Sequence, residues 1–424
     1  MFENIFSTEW YSSVPAFTHG YPVCEHSADE KCYIAEYSDV GTHAYYDYLA
    51  ELDAAGFAAR ETYTLDRNLY ALYDGEKATV YIAYSAKADT VRLYIEEKGA
   101  TPYPAKNADA DRTYPTMWQL PLDNKASVEN GGMRYIFLLP DNTFMVIDGG
   151  YCTDPDANSL YEFLAEHTEK GKKPVISAWL ITHLHYDHYG TLIRFADLYA
   201  DKVDVKAFYY HLNPDEQSTG KLTPAMAKWP EAVHYNKMHT GMEFRLPGVK
   251  VNIIQTQEDL YPIIPRNYND ASMVFRVTVG EQRILFLGDC EVMANHCMLK
   301  YLSDEIIKSD IVQYSHHGYQ GVHKEFYDIA APHTILWPMN IDGYQENGYN
   351  VIPQNVFGNW HQNRYGFQNE TIPNRYISFY APYVKKILIP EAESRMDFPY
   401  SPTGSRLPDF EGIFIEKTKD YKPE

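Results

Sequence analysis

Ile181-Thr182-His183-Leu184-His185-Tyr186-Asp187-His188-Tyr189-Gly190 places three imidazoles and one carboxylate within six residues, directly after the apolar run Val175-Ile176-Ser177-Ala178-Trp179-Leu180-Ile181. The apolar run is short and β-branched at several positions, which predicts a buried strand. In extended backbone, side chains two apart point the same way, so His183 and His185 can grip one metal ion. Asp187 and His188 come where the chain turns toward a helix expected over residues 191–200, and they face a neighbouring point. The pattern suits two adjacent cations. A lone histidine at a strand end is ordinarily a hydrogen-bonded surface group, but four ligand-type residues at this density are not explained that way.

The rest of the chain bounds what such a centre can serve. With 424 residues there is room for two or three domains and a sizeable core. The 45% apolar and 22% charged fractions are those of a globular protein. No apolar run reaches the eighteen or so residues needed to span a bilayer, and the first residues lack the basic start and apolar core of a secretory signal. The five cysteines (Cys24, Cys32, Cys152, Cys290 and Cys297) are odd in number with no CxxC pair, which reads as reduced thiols and a cytoplasmic location. A net charge of −21 without any Lys/Arg-rich block disfavours nucleic acid and anionic membranes as partners and leaves a small-molecule substrate.

Residues 1–108 read as a small α+β unit. It has a helix capped by Thr42, carrying Tyr45, Leu49 and Leu52 on one face, and strands over 68–73, 78–85 and 90–96. From residue 113 strands alternate with helices: strands over 135–139, 144–147, 206–210, 249–256, 273–279 and 284–287, and a helix over 158–168. Two later strand ends extend the histidine pattern. Ile284-Leu285-Phe286-Leu287 runs into Gly288-Asp289, and a carboxylate with two oxygens can bridge two ions. Asp310-Ile311-Val312-Gln313-Tyr314-Ser315-His316-His317-Gly318 opens a short apolar strand into paired histidines. One of these would complete a second ion's shell, and the other would orient it or donate a proton.

The ordered set His183-x-His185-x-Asp187-His188, Gly288-Asp289 and His316-His317-Gly318, with Asp148-Gly149-Gly150 upstream, resembles the metallo-β-lactamase-fold hydrolases over residues 113–340. Asn269-Asp270-Ala271-Ser272 and residues 310–318 are similar to the branch containing the competence-channel hydrolase domain, and the phosphorylcholine esterases have a similar ligand layout. The resemblance implies an α/β fold, an αββα sandwich beside the small N-terminal α+β domain, with residues 341–424 completing it and lining the site. It also implies two divalent metal ions, zinc in the first instance, with manganese or iron as alternatives. His183 and His185 would bind the first ion, and Asp187, His188 and His316 the second, with Asp289 bridging. His316 is preferred because it leaves the strand first; His317 is the competitor, and otherwise the catalytic proton donor.

This sequence departs from the family at one point. The histidine usual ahead of the Gly-Asp strand is replaced by Asn269–Ser272, so the first ion is one protein ligand short. Water, substrate or His211 could fill the gap, or the centre could hold a single ion. Otherwise His211, His234, His239 and His296 read as surface histidines. A cation pair lowers the pKa of a shared water from about 16 towards 7, and Asp187 would orient the hydroxide. The expected reaction is hydrolysis of a small phosphodiester or phosphoester. Lactone, thioester or amide hydrolysis is the alternative, as is a catalytically weak metal-binding protein. Loops over 340–349 and 357–367 are expected to line the site, and Trp360, His361, Arg364 and Tyr365 in the second could touch substrate, although 354–367 reads equally as a packing helix.

Overall fold

Strand alternation sets the layers of the molecule. A computed structural model describes residues 6, 8–29, 31–105, 113–122, 131–213, 220–262, 268–318, 321–339, 381–390 and 395–404. Trp360, His361, Arg364, Tyr365 and both loops that were expected to line the site lie outside the described residues.

Strands β1 (Tyr21–Asp29), β2 (Cys32–Ser38), β3 (Ala58–Leu65), β4 (Asn68–Asp74), β5 (Ala78–Ser85) and β6 (Thr90–Glu97) form an antiparallel sheet in the order β1-β2-β6-β5-β4-β3. Val80, Ile82, Val91, Leu93 and Ile95 face the helix Thr42–Ala54, which contributes Tyr45, Tyr48 and Leu52. Gly41 rather than Thr42 caps this helix; the Thr42 hydroxyl instead donates to Tyr84 Oη at 3.1 Å. Tyr81 and Tyr94, out of phase with those residues, join Ile34 and Leu72 in the largest core of the protein.

That core continues between two further sheets. The first contains β7 (Thr116–Gln119), β8 (Arg134–Leu138), β9 (Phe144–Asp148), β10 (Val175–Ile181), β11 (Asp204–Val205), β12 (Ala207–Tyr210) and β13 (Val233–Tyr235). The second contains β14 (Glu243–Leu246), β15 (Val249–Gln255), β16 (Val274–Val279), β17 (Gln282–Phe286), β18 (Ile311–Gln313), β19 (Thr334–Leu336) and β20 (Lys386–Leu388), ordered as in the chain. A last strand, β21 (Arg395–Asp397), returns to the first sheet, whose order is β13-β12-β10-β9-β8-β7-β21, with β11 on β10.

Tyr135, Phe137, Met145, Ile147, Ala178 and Leu180 point inward against Val251, Ile253, Phe275 and Phe286. The alternate residues Ile136, Phe144, Val146, Trp179 and Ile181 point outward onto the helices Asp154–Glu166 and Tyr186–Tyr199. The helices Val292–Tyr301 and Lys324–Ala330 add Met298 and Phe326 to the inner core, giving αββα layers. Among the described residues no helix is long and apolar enough to cross a membrane.

Parallel pairing brings the ends of strands to a common edge. β9, β10 and β12 run parallel in one sheet, and β17 and β18 in the other. Chemistry in α/β proteins sits beyond such carboxyl ends, where loops are held by a rigid sheet.

The N-terminal sheet is tied to the sandwich by a buried ion pair. Arg92 Nε donates to Glu36 at 3.1 Å, and Nη1 donates to Asp259 Oδ1 at 2.8 Å, in the turn after β15. Removing the guanidinium would leave two carboxylates without their cation, so Arg92→Leu should lower unfolding stability by about 3–5 kcal/mol. Urea denaturation checks this against Lys172→Ala, which breaks an exposed pair and should cost no more than about 1 kcal/mol.

Candidate metal centre

Each element delivers one piece of the cluster. β10 ends into His183 and His185, and the helix expected at 191 begins instead at Tyr186, so Asp187 and His188 occupy its first turn. β17 ends into Gly288-Asp289. Gly288 has φ 55, and a Cβ there would lie 2.8 Å from Ser272 Oγ and 3.2 Å from Thr182 Cβ, so the close approach of the two sheets requires glycine. Beyond β18 the chain turns through three left-handed residues, His316 (φ 49), His317 (φ 53) and Gly318 (φ 82).

Two groups of possible ligand atoms result, each within 4.8 Å: His183, His185 and Asp289; and Asp187, His188, Asp289 and His317. Asp289 belongs to both. Its Oδ2 lies 3.7 Å from His183 Nε2, 3.2 Å from His188 Nε2 and 3.3 Å from His317 Nε2. Its Oδ1 is buried with no hydrogen-bond partner among the described residues. A buried carboxylate oxygen left over in this way is costly by itself and fits a cation.

The outer contacts fix which nitrogen faces inward. Asp148, at the end of β9, accepts from Thr182 N at 2.8 Å and Thr182 Oγ1 at 2.7 Å, and His188 Nδ1 lies 2.7 Å from its Oδ2. His188 therefore carries a proton on Nδ1, and Nε2 turns to Asp187 at 3.7 Å and Asp289. His317 Nδ1 lies 2.9 Å from the Pro338 carbonyl, which can only accept, and His317 Nε2 lies 3.0 Å from Asp187 Oδ2. This is the carboxylate- or carbonyl-backed histidine arrangement typical of metal ligands. The donor set suits a pair of divalent cations. Asp148 was legible in sequence only as a family element; its hold on Thr182 and His188 shows in three dimensions alone.

The structure brings His317, not His316, among the ligand atoms of the second group. His317, expected as proton donor, joins Asp187, His188 and Asp289. His316, expected as the closing ligand, turns to Glu291, with Nδ1 3.0 Å from Oε1, and its Nε2 stays 4.0 Å from Asp289 Oδ2. Extrapolating the strand fails here because two successive left-handed residues rotate the side chains away from strand alternation.

The segment standing where the usual histidine is absent serves as support. Asp270 Oδ1 accepts from Glu291 N and Ala294 N, both at 3.0 Å, at the start of the helix Val292–Tyr301. Ser272 Oγ accepts from Asp289 N at 3.1 Å, and Asn269 donates to Glu291 at 2.9 Å. His211 does not fill the gap: it lies beside Glu258 and Met238. Nor is it a surface histidine, since it is 3% exposed and His239 is fully buried; His234 is half-buried, and His296 is exposed as expected.

Burial, then neighbouring His188, keeps His183 well below its ordinary pKa. Burial also opposes charge on His188 and His317, but Asp289 and Asp187 outweigh it, with Asp148 adding to His188. His188 rises, and His317 is pushed up to about 10. Despite burial, the same pairing holds Asp187 and Asp289 low.

Residues 153–319 match the family model described as a beta-lactamase superfamily domain. The αββα sandwich is the metallo-β-lactamase fold. Among solved structures, the chain is similar to CmlA, a diiron β-hydroxylase from Streptomyces venezuelae, at 12% identity over 55% of this chain and 47% of that one, TM-score 0.32. It is also similar to the short form of human tRNase Z, at 12% identity over 54% and 94%, TM-score 0.32. A Cronobacter sakazakii metallo-β-lactamase with a HARLDQ motif matches at 13% identity over 45% and 66%, TM-score 0.25. The chain thus spans about half the length of CmlA. No curated protein matches it.

Two outcomes follow from this geometry. His317→Ala should lower metal content measured by mass spectrometry, whereas His316→Ala should leave it unchanged. Because His188 and His317 hold protons that a cation must displace, zinc affinity should fall as pH is lowered from 8 to 6. Calorimetry of the metal-stripped protein reads this as proton release on binding.

Proposed function

We propose that the chain is a metal-dependent hydrolase acting on a small phosphodiester or phosphoester. The observation that carries the reading is the sharing of Asp289 between two groups of inward-facing imidazole and carboxylate atoms at the sheet edge. His183, His185 and Asp289 would hold one divalent cation, and Asp187, His188, Asp289 and His317 a second, zinc being the first choice for this nitrogen-rich set. Cations held there would supply Lewis acidity, lowering the pKa of a bound water and polarising the oxygen of the phosphoryl or carbonyl group under attack.

The chain's own residues complete the chemistry. Asp187 is partly open to solvent and hydrogen-bonds to His317, so one carboxylate oxygen can accept a proton from the attacking water and align it. His316, turned to Glu291 at 3.0 Å, would return a proton to the leaving group. Asp148 and Pro338 hold the His188 and His317 rings in one orientation, which limits the reorganisation needed during reaction. The phosphoester preference rests on the likeness of Asn269–Ser272 and residues 310–318 to the branch containing the competence-channel hydrolase domain, and on a ligand layout similar to that of the phosphorylcholine esterases. The same groups serve lactone, thioester or amide hydrolysis.

The test is a screen of the zinc- and manganese-loaded protein on bis(p-nitrophenyl) phosphate, p-nitrophenyl phosphate, lactones and thioesters. Phosphodiester turnover that falls a hundred-fold or more in Asp187→Ala, with metal content measured alongside, is the expected result. Full metal loading with no turnover of any class would sink the enzyme reading. Turnover of lactones or thioesters alone would replace the phosphoester assignment. DNA cleavage is not expected at a net charge of −21.

A further inference from the structure

A second buried cluster lies apart from this centre and shares no residue with it. His211 follows β12, His239 lies between β13 and β14, and Glu258 sits in the 3-10 turn Gln257–Leu260 after β15. Their possible ligand atoms lie within 4.8 Å of one another, and the three residues are at most 3% exposed. The N-terminal sheet closes over them. Tyr81 stacks on the His239 ring at 5.1 Å and donates its hydroxyl to Thr240 O at 2.8 Å, and the Tyr94 ring lies 4.4 Å from His239.

Hydrogen bonding fixes where the protons on these rings are. His211 Nδ1 lies 2.9 Å from the Met238 carbonyl, which only accepts, so this nitrogen is protonated. Tyr103 donates its hydroxyl proton to Glu96 at 2.6 Å, and Glu96 also accepts from Lys237 at 3.1 Å. Toward His239 Nε2, 3.2 Å away, the Tyr103 oxygen therefore offers a lone pair, and Nε2 carries the proton. With one proton on each ring, the lone pairs are left on His211 Nε2 and His239 Nδ1. These are the atoms that face Glu258, at 3.2 Å from Oε1 and 2.8 Å from Oε2.

A carboxylate has no proton to give. Three electron-rich atoms converging in a dry pocket need something positive among them. Two extra protons would do this, making both rings imidazolium. One divalent cation would supply the same charge, and the three ligand atoms, within 4.8 Å of one another, can share it. The ring nitrogens opposite the pocket are already backed by a carbonyl and a tyrosine, as metal-bound histidines are. Two imidazoles and a carboxylate form a set taken by zinc and by other first-row divalent metals.

We propose that His211 Nε2, His239 Nδ1 and Glu258 form an additional, mononuclear divalent-cation site that pins three segments of the sandwich beneath the N-terminal sheet. It is enclosed, so its role is structural, and it stands whether or not the other centre is a hydrolase. Metal content of zinc-loaded protein, measured after gel filtration, should fall by one ion per chain in Glu258→Gln relative to the unaltered chain, however many ions the other centre holds. Equal content in the two folded proteins overturns the site. Should Glu258→Gln fail to fold, crystals of the unaltered protein grown with zinc decide the matter. An anomalous difference peak between the three side chains confirms the site, and its absence at zinc saturation, with both rings left as imidazolium, overturns it.

Discussion

Asp289 comes off one sheet of the sandwich and meets histidines delivered by both. Its Oδ2 lies within 4.0 Å of imidazole nitrogens from His183, His188, His316 and His317, and the residue is 1% exposed. A carboxylate buried to that extent persists only if positive charge surrounds it closely. The demand propagates outward. The backbone must turn left-handed at Gly288, Ser272 must hold the Asp289 amide, and Asp270 must anchor the next helix. Across the gap, Asp148 and Thr182 lock the rings of the first sheet so that their nitrogens meet the same point. Strand pairing brings these parts near one another, and the unshared charge of one oxygen sets how near.

Those parts were unevenly legible in the sequence. His183, His185, Asp187 and His188 announce themselves because they are adjacent in the chain, and strand alternation or a single helical turn suffices to bring them together. Asp289 is readable from the apolar strand before it. The order of His316 and His317 is not, because left-handed backbone at both positions erases the alternation on which such a reading depends. His211, His239 and Glu258 were invisible as a group: each sits in a separate connection, and only the folded sheets bring them within reach. Strand β3 was missed for a different reason. β3 is exposed at Ala58, Ala59, Arg60 and Thr64 and buried mainly at Tyr63 and Leu65, which leaves little apolar periodicity to detect.

The N-terminal sheet is more than an attachment at the side. One of its faces contributes Tyr81, Tyr94, Ile34 and Leu72 to the core that fills the sandwich, while the other packs its own helix. Between sheet and sandwich run several matched polar contacts: Arg92 with Glu36 and Asp259, Tyr81 with Thr240, Tyr103 with Glu96 and His239. Matched polar groups inside an apolar core stabilise little by themselves but penalise every other docking angle, because each alternative strands a charge.

The turn carrying His316 and His317 restricts what the chain can become. Left-handed backbone is tolerated readily by Gly, then by Asn, Asp and His, and poorly by β-branched or bulky residues. Two successive non-glycine residues hold that conformation here, with Gly318 behind them. Substitutions at positions 316 and 317 are therefore filtered twice, once by chemistry and once by backbone shape, before any question of substrate arises. The residues that pass the second filter are nearly all small, polar and able to bind metal or protons. Even where the histidines are lost, the backbone will favour replacements that keep this corner of the cleft polar.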